Sequence, residues 1–223
     1  MTSAQAQGVR PPTTSEFMRA ICLAGLLLSS CGPAIGSPRL PYTAVAEPWP
    51  ARPQVITTAI DPGLASLNLP PLAGVTLPAT WRELRISGGH GMTLGAEYPM
   101  IRIIAQSGRV SGQILFFRAV VAPTGRATRP PRWSARVAKL GRAIDWPTVL
   151  RALDVLGIST YEPPTYRTTI MDAGDLVVEV RHGAIYRAYE VNAPHLRSDT
   201  VSWRAAQIAR VADSLASLTR GHD

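Results

Sequence analysis

The stretch MIRIIAQSGRVSGQILFFRAVV, residues 100–121, decides the fold, because it consists of two strand-like arms on either side of a turn. Apolar and β-branched residues, which favour strands, dominate the arms Met100–Gln106 and Val110–Val121. The joining residues Ser107-Gly108-Arg109 include a glycine, which readily takes the positive φ of a tight hairpin turn. Because Ile114–Phe117 is apolar on both faces, we expect the second arm to lie in the middle of a sheet.

Further strands are predicted on both sides of this hairpin. Upstream, the segment Trp81–Ser87 has the two-residue period of a half-buried strand, with charged residues between apolar ones. Downstream, three runs separated by turn residues predict a three-strand meander over Tyr166–Met171, Leu176–Arg181 and Ala184–Val191. The strands therefore follow one another in antiparallel hairpins.

Two helices are predicted between and after these strands. Asp145 caps the first, Pro147 stands in its first turn, and Gly157 follows its end. The second runs from about Val201 to Thr219 and is capped by Asp199 or Thr200. Hairpin strands combined with two helices predict an α+β fold with an antiparallel sheet.

The chain is expected to divide into a segment 1–30 that is removed, a proline-rich tether 31–78 and a single domain 79–221. The tether contains ten of the twenty prolines, and such spacing favours an extended, semi-rigid backbone. Its second half, Val55–Leu77, is richer in apolar residues than a disordered tail, which indicates that it lies against the domain. The domain has no repeat and no second hydrophobic span.

An apolar run from Ala20 to Leu28 follows Arg19 and ends in the quintet Leu28-Ser29-Ser30-Cys31-Gly32. A charged start, a short apolar core and small residues before a cleavage point are the parts of a secretory signal peptide, and the run is too short to span a bilayer. The quintet resembles the lipobox of bacterial lipoproteins. That resemblance implies cleavage between Ser30 and Cys31, a diacylglyceryl group on the Cys31 thiol, and usually an acyl chain such as palmitate on the new amine.

The alternatives for this run are a short buried helix or an uncleaved anchor, and the prolines that begin with Pro33 disfavour both. Translation starts at Met1 or at Met18, and cleavage before Cys31 would give the same mature chain from either start. Cleavage also removes Cys22, and lipidation occupies Cys31, so the mature chain has no internal disulfide.

The net charge of +8 comes almost entirely from arginine, since Lys139 is the single lysine beside 22 arginines. Together with abundant Ala, Gly and Pro, this is the residue usage of a G+C-rich genome, and it argues little for nucleic acid. The excess is local, because nine basic residues and no acidic residue lie between Glu97 and Asp145.

The densest part of this basic stretch is a candidate anion-binding segment, in which guanidinium groups near a tryptophan would contact phosphates or carboxylates. The alternative is a solvated connection between the sheet and the first helix. Because a lipid anchor would hold the segment in the envelope, we expect a membrane or an anionic envelope polymer as partner rather than nucleic acid. The candidate residues are Arg126, Arg129, Arg132, Trp133, Arg136, Lys139 and Arg142.

Signatures of catalysis are thin. The histidines lack paired metal-ligand spacing, so no metal or other cofactor is predicted. His90 is the weak candidate, because it lies in a glycine-flanked loop where backbone NH groups could face a ligand; the alternative is a plain flexible loop. No GxSxG or SxxK motif is present.

Three functional hypotheses remain open. The first is a non-catalytic envelope lipoprotein that binds a partner protein or an anionic envelope component. The second is a small envelope hydrolase that uses His90 with a carboxylate brought near by the fold, and the third is a structural domain that packs on copies of itself. For location, the lipobox implies a lipid-anchored, periplasm-facing protein, and Gly32 after the lipid site favours the outer membrane where the cell has one.

Overall fold

The structure, a computed structural model, describes residues 42–46, 50–88, 97–120, 132–140, 143–164, 174–197 and 199–219. Its strands, in chain order, are β1 (Thr43–Ala44), β2 (Val75–Thr76), β3 (Trp81–Gly88), β4 (Glu97–Gln106), β5 (Arg109–Val120), β6 (Arg132–Val137), β7 (Asp175–His182) and β8 (Ile185–Asn192). Its α-helices are α1 (Asp61–Ala65), α2 (Trp146–Val155) and α3 (Thr200–Ser217). A π-helical turn, Ile56–Ile60, leads into α1, and 3-10 turns occupy Leu72–Gly74 and Pro194–Leu196.

The predicted hairpin forms the β4–β5 pair inside a six-stranded sheet of order β6-β5-β4-β3-β7-β8. All its neighbouring strands are antiparallel. The turn is one residue shorter than expected: Ser107 and Gly108, both at positive φ, form it, and β5 begins at Arg109. The prediction of a central strand is confirmed for β5, where Ile114–Phe117 is buried on both faces.

Helices α2 and α3 cover one face of the sheet, which we call the helix face. Both predicted helices are confirmed. The Asp145 carboxylate accepts a hydrogen bond from Thr148 N at 3.2 Å, and Asp199, rather than Thr200, caps α3 by accepting from Ser202 N at 2.7 Å. The apolar core between these helices and the sheet includes Leu84, Ile103, Ile114, Leu153, Val178 and Ile208.

The opposite face of the sheet is covered by the chain that precedes β3. We call residues 42–46 and 50–77 the cover segment and this face the covered face. Ile56, Ile60 and Leu64 pack there against Met100, Leu115 and Phe117. Contacts group Leu40–Asp223 into one compact unit, so much of the range 31–78 that the prolines assign to a tether belongs to the folded unit.

The α+β fold with antiparallel hairpins is therefore confirmed. The second and third strands of the predicted meander are β7 and β8, which pair through the turn at Gly183 and Ala184. The first, Tyr166–Met171, lies outside the described residues. Residues 1–30, where the export signal is predicted, and Cys31 also lie outside them.

Candidate functional site

Four of the seven candidate anion-binding residues are described, and the strand geometry divides them between two faces. Arg132, Trp133 and Arg136 lie on the edge strand β6, and Lys139 follows it. Successive side chains of a strand point to opposite faces. The Arg136 guanidinium lies 4.8 Å from the centre of the Phe116 ring on the helix face, whereas Trp133 packs with the apolar cluster of the covered face.

The structure therefore does not bring Trp133 together with the arginines of its own strand. Its ring lies 6.3 Å from that of Tyr98, tilted by 54°, so it serves packing. Arg132 and Arg136 are four residues apart, an even spacing that puts them on the same helix face, where the exposed Arg118 pairs in register with Ser134. Among the described residues between Glu97 and Asp145, the exposed cations are Arg109, Arg118, Arg132, Arg136 and Lys139.

Arg136 is already engaged by a carboxylate. Its Nε and Nη2 atoms donate to the two oxygens of Glu97 at 3.1 and 2.7 Å, and this hydrogen bonding lowers the pKa of Glu97. Both side chains are more than a third exposed, so water screens the pair. Arg136 is consequently less available to an anion than Arg118, Arg132 or Lys139.

The connections that contain the remaining loop candidates begin and end at one end of the sheet. β3 ends at Gly88 and β4 begins at Glu97, with His90 in between. β5 ends at Val120 and β6 begins at Arg132, with Arg126 and Arg129 in between. Register pairs Glu97 with Arg118 and Val120 with Arg132, so we call this the basic end of the sheet.

His90, Arg126, Arg129 and Arg142 themselves lie outside the described residues, as do Ser30 and Cys31. The pairing of His90 with a carboxylate therefore stays a prediction. In the part of the chain that is described, no group of three His, Cys, Asp or Glu side chains could hold a metal ion.

A cluster of buried charges that sequence reasoning missed lies on the covered face. Glu83 Oε1 accepts hydrogen bonds from Arg85 Nε and Arg102 Nε, both at 2.8 Å. Its Oε2 accepts from the Tyr42 hydroxyl at 2.6 Å, and Arg102 Nη2 donates to the same hydroxyl at 2.9 Å. Glu83, Arg85 and Arg102 are each at most 2 % exposed, so the cover segment closes this cluster from water.

The pKa of Glu83 is set more by attraction to two neighbouring arginines than by burial. Burial alone would raise its pKa, but Arg85 and Arg102 outweigh burial and hold the pKa of Glu83 at about 2. Burial and the neighbouring Glu83 carboxylate raise the pKa of Tyr42 to about 12, so the phenol remains a hydrogen-bond donor. Glu83 is therefore a compensated buried charge.

A second buried glutamate, Glu179, is less well compensated. It is the register partner of Arg85 across β3 and β7, and its Oε1 accepts from the Tyr186 hydroxyl at 2.7 Å. Its Oε2 and Arg85 Nη2 have no hydrogen-bond partner among the described residues. Burial raises the pKa of Glu179 against the attraction of Arg85 and the bond from Tyr186.

The buried arginines also bind the backbone of the cover segment. Arg181 Nε and Nη2 donate to the carbonyls of Leu72 and Ala73 at 3.2 and 2.9 Å. Arg85 Nη1 donates to the Pro70 carbonyl at 3.1 Å. These charges are hidden from solvent and bonded to protein groups, so the arrangement fastens the cover segment to the sheet instead of presenting a reactive group.

The sequence held one signal for this cluster. Alternation in β3 marks Glu83 and Arg85 as one face of a strand, and the apolar richness of Val55–Leu77 indicates a segment that packs somewhere. Only the fold shows that the segment Val55–Leu77 covers the strand face that carries Glu83 and Arg85. The periodicity alone predicts a solvated face, because it carries no information on what covers it.

Comparison with known proteins adds no family to this description. No protein-family model matches the chain, and no curated protein matches it. Among the helices of the described ranges, none has the length and apolar character needed to cross a membrane.

Proposed function

We propose that this chain is a lipid-anchored protein of the bacterial cell envelope whose α+β domain is a non-catalytic binding module for an anionic envelope component. The observation that carries the proposal is the quintet Leu28–Gly32, placed after an arginine and a short apolar run and before a proline-rich stretch. The lipobox resemblance supplies the anchor at Cys31, the periplasm-facing location and, through Gly32, the preference for an outer membrane.

The structure supports this proposal through the length of chain between anchor and domain. Tyr42, hydrogen-bonded inside the folded unit, is eleven residues after Cys31 (42 minus 31). Eleven residues span at most about 40 Å when fully extended. A domain tied so closely to its lipid works at the membrane surface, where phospholipid headgroups and envelope polymers are the abundant anions.

The anion-binding part of the proposal is supported by the basic end of the sheet. Arg118 and Arg132 lie there on one face and both are exposed, whereas the exposed Lys139 follows the opposite end of β6. Guanidinium groups bind phosphate and carboxylate through paired hydrogen bonds. Glu97, the register partner of Arg118, is already paired with Arg136.

The anchor is tested by fractionation of cells that express the wild type or Cys31→Ser. We expect wild type in the membrane and Cys31→Ser unprocessed and without lipid. Equal processing and equal membrane association of the two proteins would overturn the lipobox assignment.

The binding function is tested separately with the detergent-solubilised lipoprotein. We expect it to retain anionic envelope polymers or anionic lipid, and Arg118→Glu/Arg132→Glu to lose most of this retention. Arg204→Glu/Arg210→Glu, which reverses two exposed charges on α3, is the charge-matched control. Equal loss in both variants, or retention of a protein partner alone, would contradict an anionic ligand at the basic end.

A further inference from the structure

The end of the sheet opposite the basic end carries two tight turns, at Ser107–Gly108 and at Gly183–Ala184. We call it the turn end. Register pairs Trp81 with Gln106 and Arg82 with His182, which places the start of β3 there too. Nine residue steps of about 3.3 Å separate the Gln106 and Glu97 ends of β4, so the two ends of the sheet are about 30 Å apart.

The chain that comes from Cys31 joins the folded unit near the turn end. Thr43 in β1 pairs with Thr76 in β2, and the next residue, Leu77, donates its N–H to the Gly183 carbonyl at 3.1 Å. Tyr42, just before β1, is bonded to Glu83 in the first half of β3. The described chain, which begins at Tyr42, therefore enters the domain on the turn-end side.

The two most exposed large apolar side chains of the described residues lie at the same end. Ile185, the first residue of β8, is 68 % exposed, and Val155, the last residue of α2, is 76 % exposed. Val155 follows Asp154, whose carboxylate is 2.7 Å from Arg82 Nη2 at the start of β3. A single exposed apolar residue is ordinary on a protein surface. Two such residues at the end of the sheet where the chain from the proposed tether enters call for a functional explanation.

Exposed cations accompany these apolar residues. Arg109 begins β5 directly after the Ser107–Gly108 turn, and Arg151 lies one helical turn before Val155 on the same side of α2. Asp154, the neighbouring acid, is already paired with Arg82. The turn end thus offers apolar tips with positive charge beside them, which suits the interface of an anionic bilayer.

From this arrangement we infer that the turn end docks on the phospholipid surface in which the Cys31 lipid is inserted. Val155 and Ile185 enter the headgroup region, and Arg109 and Arg151 contact lipid phosphates. The basic end then points away from the bilayer, by about 30 Å, toward other anions of the envelope. The inference rests on the proposed lipid anchor and adds the orientation of the domain and the surface that touches lipid.

The test uses the full lipidated protein reconstituted in vesicles of phosphatidylcholine and phosphatidylglycerol in equal parts. An environment-sensitive fluorophore is attached to Ile185→Cys, Val155→Cys or, as control at the other end, Arg132→Cys. The label is specific, because processing leaves the mature chain with Cys31 as its single cysteine, and the lipid occupies that thiol. Brominated lipids, which quench by contact, then report which positions reach the bilayer.

We expect quenching at positions 185 and 155 to exceed quenching at position 132 at least about threefold, because the first two enter the headgroup region and the third stays in water. Arg109→Ser/Arg151→Ser should reduce the quenching on these vesicles but not on pure phosphatidylcholine.

Equal quenching at the three positions, or the strongest at 132, overturns the docking of the turn end. So does a shielded fluorophore that brominated lipid does not quench, since that result means a protein contact. Flotation and the mass of the N-terminal peptide separate the two proposals. A protein that floats and carries lipid but fails the quenching test contradicts the orientation alone, whereas an unlipidated Cys31 contradicts the proposed function and this inference together.

Discussion

Replacing Glu83 by glutamine perturbs the centre of the buried cluster while keeping the shape of the side chain. Arg85 and Arg102 then lose the carboxylate to which both donate at 2.8 Å, and both stay buried. Removing one partner of a buried ion pair typically costs about 3–5 kcal/mol. We expect Glu83→Gln to lower the free energy of unfolding by that amount at neutral pH, out of about 5–15 kcal/mol for a typical domain.

The pH dependence of this loss has a defined sign. Glu83 has a pKa of about 2 in the folded protein and an ordinary value of 4.5, a difference that corresponds to about 3 kcal/mol. Because the folded pKa is the lower one, the stabilisation is complete above the ordinary value and is lost as the pH falls toward 2. The gap between wild type and Glu83→Gln should therefore narrow over that range.

The measurement is urea unfolding followed by tryptophan fluorescence, repeated at decreasing pH. Two glutamine substitutions serve as controls. Glu179→Gln removes a buried charge whose pKa is raised by burial, and Glu97→Gln removes a solvent-screened pair with Arg136, so each should change stability by no more than about 1 kcal/mol at neutral pH. If Glu83→Gln is no more destabilising than these controls, or if its effect does not depend on pH, the reasoning about the cluster is refuted.

The fold makes three further predictions. A truncated protein that begins at residue 79 lacks the cover segment, so it should expose the apolar covered face and aggregate or unfold; a monomer with native circular dichroism would contradict this. Tyr42→Phe removes the hydroxyl shared by Glu83 and Arg102, and it should cost about 1–3 kcal/mol in urea unfolding, with no loss counting against the role of Tyr42. Gly112→Ala places a methyl group against the Trp146 ring, closer than van der Waals contact allows, so overpacking should lower stability by about 1–3 kcal/mol, and an unchanged unfolding midpoint would show that the ring moves freely.

Much of the fold follows from local sequence signals. The β4–β5 hairpin was predictable because Gly108 supplies the positive φ of its turn, and α2 was predictable because Asp145 and Gly157 mark its two ends. β7 and β8 follow from apolar runs separated by a turn. Each of these signals acts within a few residues, which is the range over which propensity and capping operate.

Sequence analysis predicted that Val55–Leu77 lies against the domain, but not which face it covers, because that depends on contacts between distant parts of the chain. The prolines of residues 31–78 predict an extended backbone, and this prediction is wrong for the helical turns Ile56–Ile60 and Asp61–Ala65, which pack on the sheet. The position of the cover segment on the sheet is fixed by Arg85 and Arg181, which donate hydrogen bonds to the carbonyls of Pro70, Leu72 and Ala73. No spacing within the segment reports these bonds.

The candidate site was predictable in part. The sequence identified the cations of β6 but placed Trp133 with them, and the alternation of a strand puts Trp133 on the other face. Segment composition cannot make that distinction without the strand assignment of Arg132–Val137. The position of four strand termini at the basic end likewise follows from strand order, which short-range patterns do not encode.

The mass of the N-terminal peptide of the protein, purified from its own membranes, tests the central claim most directly. The account predicts that the mature chain begins at Cys31 and that this residue carries the mass of a diacylglyceryl group, with or without a further acyl chain. A chain that still begins at Met1 or Met18, with an unmodified Cys31 thiol, would contradict the lipid anchor and every functional statement built on it.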